Sequence, residues 1–520
     1  MPRNLLAALL ITPLLLFQGC STNPVTGAQE ITFMSESQEL AIGEQQYLPT
    51  QQSQGGELTI DPGLTGYVQA VGQRLAAVSD RELPYEFVVL NSSVPNAWAL
   101  PGGKIAINRG LLTELDNESE LAAILGHEVV HAAARHTAQA QTRGMFLQGA
   151  LIASAIGAGN SEYANLIMGG ASLGARLISQ RYGRDAERES DEYGIQYMVR
   201  AGYDPRGAIT LQEKFVALSE ARGKNASWFE GLFASHPPSE ERVRNAREQV
   251  AGMDLDAMDL RVGEQRYQQE LAFMRQAQPA YALFDEAYSE IREDDLKVAM
   301  QKLARASDIL PQEAKFHGLR GDILLEQRRY REAIDSYDAA LSRNDRYFVY
   351  YLGRGVANAR LGNTGEARSD LKRSTEFLPT AYAALELGNL AMADNDREAA
   401  KAYYRSAAQS GGEIGQRAGA AFARLDLPEN PANYFRVQSA VDDNGRLLAQ
   451  VVNTSGLPVS DVQVEFRVLV SGRVQSGIRS LGSIPAGSTR VVKSGVSLPA
   501  EVAAAPGNFD ARVVAARVAE

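Results

Sequence analysis

A 34-residue period runs through residues 280–413 and constrains the fold more than any other feature of the sequence. Units begin at Ala280, Ala314 and Phe348, and a fourth begins near Ala381. Small residues recur at unit positions 20 and 27 and larger apolar residues at position 24: Ala299, Ala333, Ala367, Ala400; Ala306, Ala340, Ser374, Ala407; Leu303, Tyr337, Leu371, Tyr404. Small residues let two helices approach closely, and the larger residues fill the contact with the next pair. The period therefore predicts stacked helix pairs, an α-solenoid.

These units resemble the tetratricopeptide repeat. Glycine recurs at position 8 and proline at position 32: Gly321, Gly355, Gly388; Pro311, Pro379. Asp345 replaces the proline of the second unit, and the first unit lacks the glycine. The resemblance implies a concave surface for polypeptide, in a repeat domain that we place at residues 256–427.

The sequence changes character after Pro428, where short β-rich runs alternate with turn residues. The runs are 435–439, 447–453, 462–470, 473–481, 490–494 and 511–518. Even spacing with Gly, Asn and Pro between the runs predicts a small antiparallel β-sandwich at residues 428–520. It contains no catalytic constellation, so we expect a binding or spacer module in a multidomain chain.

The net charge of −11 excludes two classes of partner. A nucleic-acid-binding protein needs a basic surface, and so does simple electrostatic binding to anionic membranes. At 520 residues the chain is too long for one ordinary domain. After the first twenty residues, no run of eighteen apolar residues occurs, so the sequence predicts no membrane-spanning helix there.

The first twenty residues resemble a bacterial lipoprotein signal. Residues 5–17 are almost wholly apolar, and Gly19 precedes Cys20, the single cysteine of the chain. A small residue before the lipidated cysteine is typical of such signals, while an ordinary secretory signal with an incidental cysteine is the alternative. We therefore predict a signal peptide at residues 1–19, and a lipid-anchored tether with a first helix at residues 20–56.

Residues 57–255 carry a mixed pattern that predicts an α+β domain in which helices dominate. A strand is expected at 85–90, and a second apolar stretch follows at 96–108. Residues 145–157 are apolar with glycine and serine interspersed. We expect them to form a helix buried against the domain core; a flap that faces substrate or membrane is the alternative.

A helical sequence, LAAILGHEVVHAAARH at residues 121–136, contains the pattern HExxH. His127 and His131 are four residues apart and share a helical face, so both imidazoles can bind one tetrahedral zinc ion. Glu128 points toward the same cleft and can act as the general base toward water that the metal activates. Two histidines on an amphipathic helix without a metal are the alternative.

A catalytic zinc needs a third protein ligand. His136 stands five residues after His131 and faces about a third of a turn away, so the ligand must come from elsewhere. Residues 184–192 read RDAERESDE, where Glu187 and Asp191 share a face. One carboxylate can bind zinc while the other orients a ligating imidazole, although a solvated charged helix face is the alternative.

The quoted motifs resemble the zinc metallopeptidase family that includes the Ste-type prenyl-protein peptidases and HtpX. The resemblance covers residues 25–250 and rests on GHEVVHAAARH, ERESD, Ser235-His236-Pro237 followed by Arg242, and NAWALPGGKI at 96–105. It implies a zincin-like domain with one zinc per chain. The implied roles are zinc binding by His127, His131 and Glu187, general base catalysis by Glu128, and support of a ligating histidine by Asp191.

The resemblance leaves His236 open between two roles. With Arg242 it would stabilise the oxyanion formed on the peptide carbonyl, or it would occupy the fourth zinc position in a resting state. An edge strand within residues 96–108 would pair with an extended substrate. Ser190 stands where the family usually has alanine, and this leaves both carboxylates in register.

Together these features predict a zinc endopeptidase of the cell envelope whose repeats recruit misfolded polypeptides. Periplasmic relatives with downstream repeats imply outer-membrane proteins as substrates and their assembly machinery as partner. Ser21, rather than Asp, after the lipidated cysteine favours the outer membrane of a Gram-negative bacterium. A chaperone or scaffold with latent peptidase activity is the alternative, and a prenyl-protein peptidase is disfavoured because no spanning helices are predicted.

Overall fold

A computed structural model describes residues 20–140, 142, 182–220, 233, 235–470, 472–503 and 506–519. The chain forms two compact units, residues 1–379 and 380–520. The predicted signal peptide and the apolar stretch 145–157 lie outside the described residues. Among the residues that are described, we find no helix with both the length and the apolar character needed to cross a membrane.

The segment predicted as a tether begins with a β-hairpin. Strands β1 (Cys20–Thr22) and β2 (Gln29–Ile31) pair antiparallel. Asn23 Oδ1 accepts hydrogen bonds from the backbone N–H groups of Val25 and Thr26, at 2.9 and 3.3 Å, and these bonds fix the turn. Helix α1 (Glu36–Ser53) follows and begins with a capping box at Ser35.

A three-stranded sheet lies in the core of the first unit. Its strands are β3 (Glu86–Leu90), β4 (Ala97–Leu100) and β5 (Lys104–Asn108), and their order is β3-β5-β4. β3 runs parallel to β5, whereas β4 pairs with it antiparallel through a turn at Gly102 and Gly103, whose φ angles are positive. β4 is therefore the edge strand, in the segment where the sequence predicted one.

Seven helices complete the described part of this domain and carry the HExxH and ERESD motifs. They are α2 (Pro62–Ala76), α3 (Arg109–Leu112), α4 (Glu118–Ala133), α5 (Arg184–Arg200), α6 (Arg206–Glu220), α7 (Glu240–Ala251) and α8 (Glu264–Glu270). Every residue of α4 is buried, and α5 packs directly against it. The two helices approach where Gly126 faces Gly194: a Cβ on Gly194 would lie 3.2 Å from the backbone nitrogen of His127. This close contact places ERESD beside HExxH.

The repeats form helix pairs, as the 34-residue period predicted. The first unit holds α9 (Ala272–Arg292), α10 (Leu296–Ile309), α11 (Ala314–Glu326), α12 (Tyr330–Leu341), α13 (Phe348–Leu361) and α14 (Thr364–Phe377). A Cβ on Gly321 would lie 2.7 Å from the ring of Tyr337, which explains the glycine at position 8. The predicted solenoid is confirmed.

The first helix pairs pack on the peptidase domain through buried polar groups, which the sequence did not indicate. The Arg109 guanidinium lies 3.4 Å from the ring centre of Tyr281 and donates to Asn91 Oδ1 at 2.8 Å. Glu313 accepts from Asn91 Nδ2 at 3.1 Å and from the Tyr281 hydroxyl. Because Arg109 and Glu313 are buried, these contacts tie the repeats to the end of β3.

The second unit contains α15 (Ala381–Ala393), α16 (Arg397–Ala408), α17 (Gly412–Asp426) and a β-sandwich. One sheet has the order β10-β7-β6 and the other the order β11-β8-β9. Their strands are β6 (Phe435–Val441), β7 (Arg446–Asn453), β8 (Val459–Val470), β9 (Arg473–Ile484), β10 (Thr489–Ser497) and β11 (Phe509–Val518), with a short α18 (Ala500–Ala503) before β11. Alternate residues of β7 and β8 are buried, which confirms the predicted fold class.

Candidate metal centre and active site

Four side chains converge at the interface of α4 and α5. One ligand atom from each of His127, His131, Glu187 and His236 lies within 4.8 Å of all the others. His127 Nε2 is 3.0 Å from His131 Nε2 and 3.3 Å from His236 Nδ1, and His131 Nε2 is 3.4 Å from Glu187 Oε1. All four are largely buried.

The hydrogen bonds of the two α4 histidines show that the cluster suits a cation. His127 Nδ1 meets Asp191 Oδ1 at 3.0 Å, and a carboxylate there holds the imidazole proton on Nδ1. His131 Nδ1 meets the nitrogen of another histidine, His136, at 2.9 Å. With both protons on Nδ1, two Nε2 lone pairs face each other, an arrangement that a shared cation stabilises.

The spacing and chemistry of these atoms fit zinc. Ligands at about 2.0–2.1 Å from a tetrahedral ion lie about 3.3–3.4 Å from one another, close to the separations observed. Glu187 Oε2 is also buried, and its one close cationic neighbour among the described residues is the Arg242 guanidinium, at 3.2 Å and without a hydrogen bond. Imidazole nitrogens with one carboxylate are a typical zinc donor set.

The pKa shifts agree with the charge states that a metal site requires. Burial holds the pKa of His131 well below its usual value, so the imidazole is neutral. Burial opposes ionisation of Glu187, but His236 and His131 hold its pKa well below its usual range, so the carboxylate is charged. Metal ligands must be deprotonated, and both groups meet that condition.

Glu128 lies beside the cluster. Its Oε1 is 3.5 Å from His236 Nε2, and its Oε2 is buried with no hydrogen-bond partner among the described residues. Burial raises the pKa of Glu128 above its usual value, although His236 and His127 partly offset this effect. A buried carboxylate with a raised pKa is suited to accept a proton during catalysis.

Arg242 binds two carboxylates of the site. Its Nε and Nη2 donate to Asp191 Oδ2 and Oδ1 at 2.6 and 2.7 Å, and its Nη1 lies 3.2 Å from Glu187 Oε2. Burial alone would raise the pKa of Asp191, but Arg242 and His127 hold it below its usual value. The guanidinium thus binds Asp191 and Glu187. The resemblance instead implied a place near the oxyanion.

All seven predicted site residues come together, and the structure adds three neighbours to which the sequence assigned no role in the site: His136, Ser190 and Tyr182. The helix α4 ends at Ala133, and the chain turns at Arg135, whose φ is 63°. Helical periodicity, which assumes that the helix continues, predicted that His136 faces about a third of a turn away from His131. In the structure the two rings are in contact, although His136 is not one of the four residues of the cluster. The Tyr182 ring stacks on His131 with ring centres 4.0 Å apart, and nothing in the sequence pattern pointed to it.

The fold and the cluster define a metallopeptidase domain joined to tetratricopeptide repeats, and comparisons identify the families. Residues 62–250 match peptidase family M48, and residues 314–347 match a tetratricopeptide repeat model. The chain therefore carries an M48 peptidase domain, and the predicted recognition is confirmed.

Three curated relatives illustrate the similarity. Beta-barrel assembly-enhancing protease of Escherichia coli (strain K12) is 30% identical over 238 residues, 45% of this chain and 48% of that protein. Mitochondrial metalloendopeptidase OMA1 of Schizosaccharomyces pombe is 35% identical over 188 residues, 35% of this chain and 52% of that protein. Metalloprotease YcaL of Escherichia coli (strain K12) is 28% identical over 187 residues, 35% and 70% respectively. The chain spans about half the length of the first curated relatives it matches.

Proposed function

We propose that this chain is a zinc-dependent endopeptidase. The observation that carries the proposal is the convergence of the Nε2 atoms of His127 and His131, the carboxylate of Glu187 and the buried Oε2 of Glu128, which has no hydrogen-bond partner among the described residues. His127, His131 and Glu187 would hold the zinc. Bound zinc supplies a Lewis acid that lowers the pKa of water to about 7.

The remaining residues of the site orient these groups. Asp191 holds the proton of His127 on Nδ1, and Arg242 holds both Asp191 and Glu187 in place. Glu128 accepts the proton from the attacking water and delivers it to the leaving amine.

His236 closes the site in this conformation. Its Nδ1 lies 2.9 Å from Glu187 Oε1 and 3.3 Å from His127 Nε2, which is the place of a fourth ligand. The adjoining cavity measures about 40 Å³ and is lined by His127, Glu128 and His236 together with apolar side chains. We therefore assign His236 to a resting position from which it must move before substrate binds.

The edge strand β4 is the proposed substrate-binding element. The Asn108 N–H donates to the Asn96 carbonyl at 2.8 Å, and Trp98 and Leu100 continue this alternation toward β5. The N–H and C=O groups of Ala97 and Ala99 consequently point away from β5, to the edge where no further strand pairs among the described residues. An extended peptide can pair with them irrespective of its side chains.

Replacing Ala99 with proline should lower kcat/KM by about tenfold, because one outward donor is lost while the β4–β5 ladder keeps its hydrogen bonds. Hydrolysis of a quenched fluorescent peptide measures the effect, and bound zinc should stay equal to that of the parent. Ala99→Ser keeps the donor and serves as the matched control. Equal turnover by the proline and serine variants would show that substrate does not pair with β4.

The proposed setting is the envelope of a Gram-negative bacterium. The lipoprotein-like signal supports export and a lipid on Cys20, and the name of the Escherichia coli relative supports outer-membrane β-barrel proteins as substrates. The repeats would recruit misfolded or stalled polypeptides, or the assembly machinery that handles them. Their attachment to the peptidase domain at Arg109 keeps a recruited chain close to the active site.

A second candidate function is a chaperone or scaffold with a latent peptidase. The position of His236, beside Glu187 and His127, favours this candidate. In that case binding by the repeats would act without turnover. His236→Ala distinguishes the two readings, because removal of a blocking ligand should activate a latent enzyme.

We expect the soluble chain that begins at Ser21 to cleave an unfolded outer-membrane β-barrel protein, casein or both. A chelator should abolish cleavage and added zinc should restore it, because His127, His131 and Glu187 are the residues that would hold the metal. Gel electrophoresis of the products measures the result. One bound zinc per chain without cleavage, by the parent and by His236→Ala alike, would contradict the peptidase proposal and favour the scaffold.

A further inference from the structure

The two zinc-binding histidines of α4 rest on different partners. His127 donates through Nδ1 to the carboxylate of Asp191, a common arrangement in zinc sites. His131 Nδ1 instead lies 2.9 Å from Nδ1 of His136, and both side chains are about 2% exposed or less. A histidine that binds metal through Nε2 carries its proton on Nδ1, so His131 donates and His136 accepts.

The surroundings of His136 suit this accepting role. The hydroxyl of Ser190, which is fully buried, lies 3.3 Å from the same Nδ1 and can donate to it. With Nδ1 accepting, the proton of His136 sits on Nε2, which lies 3.4 Å from Glu189 Oε1. The two atoms are in contact but are not hydrogen-bonded, since His136 Nε2 has no hydrogen-bond partner among the described residues.

Glu189 is held in turn by the hairpin that begins the described chain. Asn23 Nδ2 donates to Glu189 Oε1 at 2.7 Å and to Glu30 Oε1 at 3.0 Å. The amide cannot be reversed without loss of its turn, because Asn23 Oδ1 accepts from the backbone of Val25 and Thr26. Asn23 is itself buried, with 1% of its surface exposed.

We propose that His136 is a positioning residue for the metal ligand His131, and that Glu189 and Asn23 keep its acceptor nitrogen turned toward that ligand. The inference rests on the proposed zinc site. His131 Nε2 can point at the metal only while its ring plane is fixed, and the Nδ1 contact with His136 fixes that plane from the opposite side. The hairpin after Cys20 thereby becomes part of the ligand support rather than a free tether.

The choice of an imidazole as partner has a chemical consequence for the ligand. A carboxylate partner raises the basicity of the imidazole it supports, whereas an imidazole partner, which brings no negative charge, raises it less. His127 and His131 therefore differ as donors, although they occupy equivalent positions on one helix. Because the partner of His131 is a histidine and not a carboxylate, His131 is supported while no further acidic group is buried near Glu128 and Glu187.

The test uses the chain from Ser21 with His136→Ala, His136→Asn and, as a matched control, His317→Ala in the repeats. Removal of a partner of this kind typically weakens metal binding by about 10- to 100-fold. We expect that loss for His136→Ala in a zinc competition assay with a fluorescent chelator. Asparagine places an oxygen acceptor near the position of Nδ1, so His136→Asn should recover most of the affinity, and His317→Ala should bind zinc as the parent does.

Two further measurements separate positioning from a general structural role. Urea unfolding of the metal-free proteins should give His136→Ala and His136→Asn similar midpoints, and the visible absorption of the cobalt-substituted site should change for His136→Ala alone. Parental zinc affinity and cobalt spectrum in His136→Ala would overturn the inference. Equal loss of zinc affinity in the alanine and asparagine variants, together with lower stability of both, would also overturn it.

Milder variants keep the inference testable if substitutions at His136 prevent folding. Glu189 contacts His136, and Asn23 contacts Glu189. We therefore expect roughly threefold to tenfold weaker zinc binding from Glu189→Ala and from Asn23→Ala. Unchanged affinity in both would overturn the proposed support. Failure of the parent itself to bind zinc would instead refute the proposed function, so the two failures are distinguishable.

Discussion

Replacing Glu128 with glutamine should lower kcat/KM for peptide hydrolysis by about 10²- to 10⁴-fold, the usual contribution of a general base. Glutamine has nearly the shape of glutamate but cannot accept the proton of the attacking water. Glu128 Oε2 is buried and has no hydrogen-bond partner among the described residues, so no neighbouring group replaces it. A quenched fluorescent peptide measures the rate, and metal analysis should still find one zinc per chain.

The matched control is Glu192→Gln, an exposed carboxylate on the neighbouring helix α5. It removes the same charge from the protein at a distance from the cluster and should leave the rate within about twofold of the parent, as surface substitutions usually do. A Glu128→Gln variant with full zinc and more than a tenth of the parental rate would rule out Glu128 as the base. Loss of zinc from that variant would mean that Glu128 binds the metal.

Replacing Arg242 with methionine should lower the free energy of unfolding of the metal-free protein by about 3–5 kcal/mol. The guanidinium is 8% exposed and binds Asp191 through two hydrogen bonds of 2.6 and 2.7 Å. Methionine fills the space but leaves the carboxylates of Asp191 and Glu187 without their cation in a site that excludes most water. Urea denaturation followed by circular dichroism measures the difference.

Arg247→Met is the matched control on the same helix. Arg247 pairs with Glu213 at 2.6 Å, but both side chains are more than 40% exposed, so its loss should cost about 0–1 kcal/mol. Adding Asp191→Asn to Arg242→Met should recover part of the lost stability, because one uncompensated charge is removed. Similar, small effects of Arg242→Met and Arg247→Met would show that the buried pair does not stabilise the fold.

Local patterns in the sequence predicted the parts of this protein that depend on nearby residues. HExxH and the Glu187–Asp191 pair each occupy one helix, where a spacing of four residues decides which side chains share a face. The repeats were predictable because small residues at fixed positions let neighbouring helices approach, as the contact between Gly321 and Tyr337 shows. The sandwich followed from strand runs separated by turn residues.

Helical periodicity misplaced His136 because it assumes that the helix continues. The left-handed conformation of Arg135 ends α4 and turns His136 back onto His131, and no residue pattern marks that turn. The sequence predicted a tether at the hairpin of Asn23, again because a local pattern does not show contacts with distant residues. Its polar residues resemble a solvated linker until Glu189, which is 166 positions away in the chain, is seen to accept the Asn23 amide.

The sequence by itself determined the classes of domain, the pattern of repeats and the residues able to bind a metal, because these follow from spacing within single elements. Only the tertiary structure decided that His236 lies against His127 and Glu187, that Arg242 binds carboxylates, and that Arg109 joins the repeats to the peptidase domain. Each of those contacts joins segments far apart in the chain. Their partners are selected by the packing of whole helices, which spacing along the sequence does not encode.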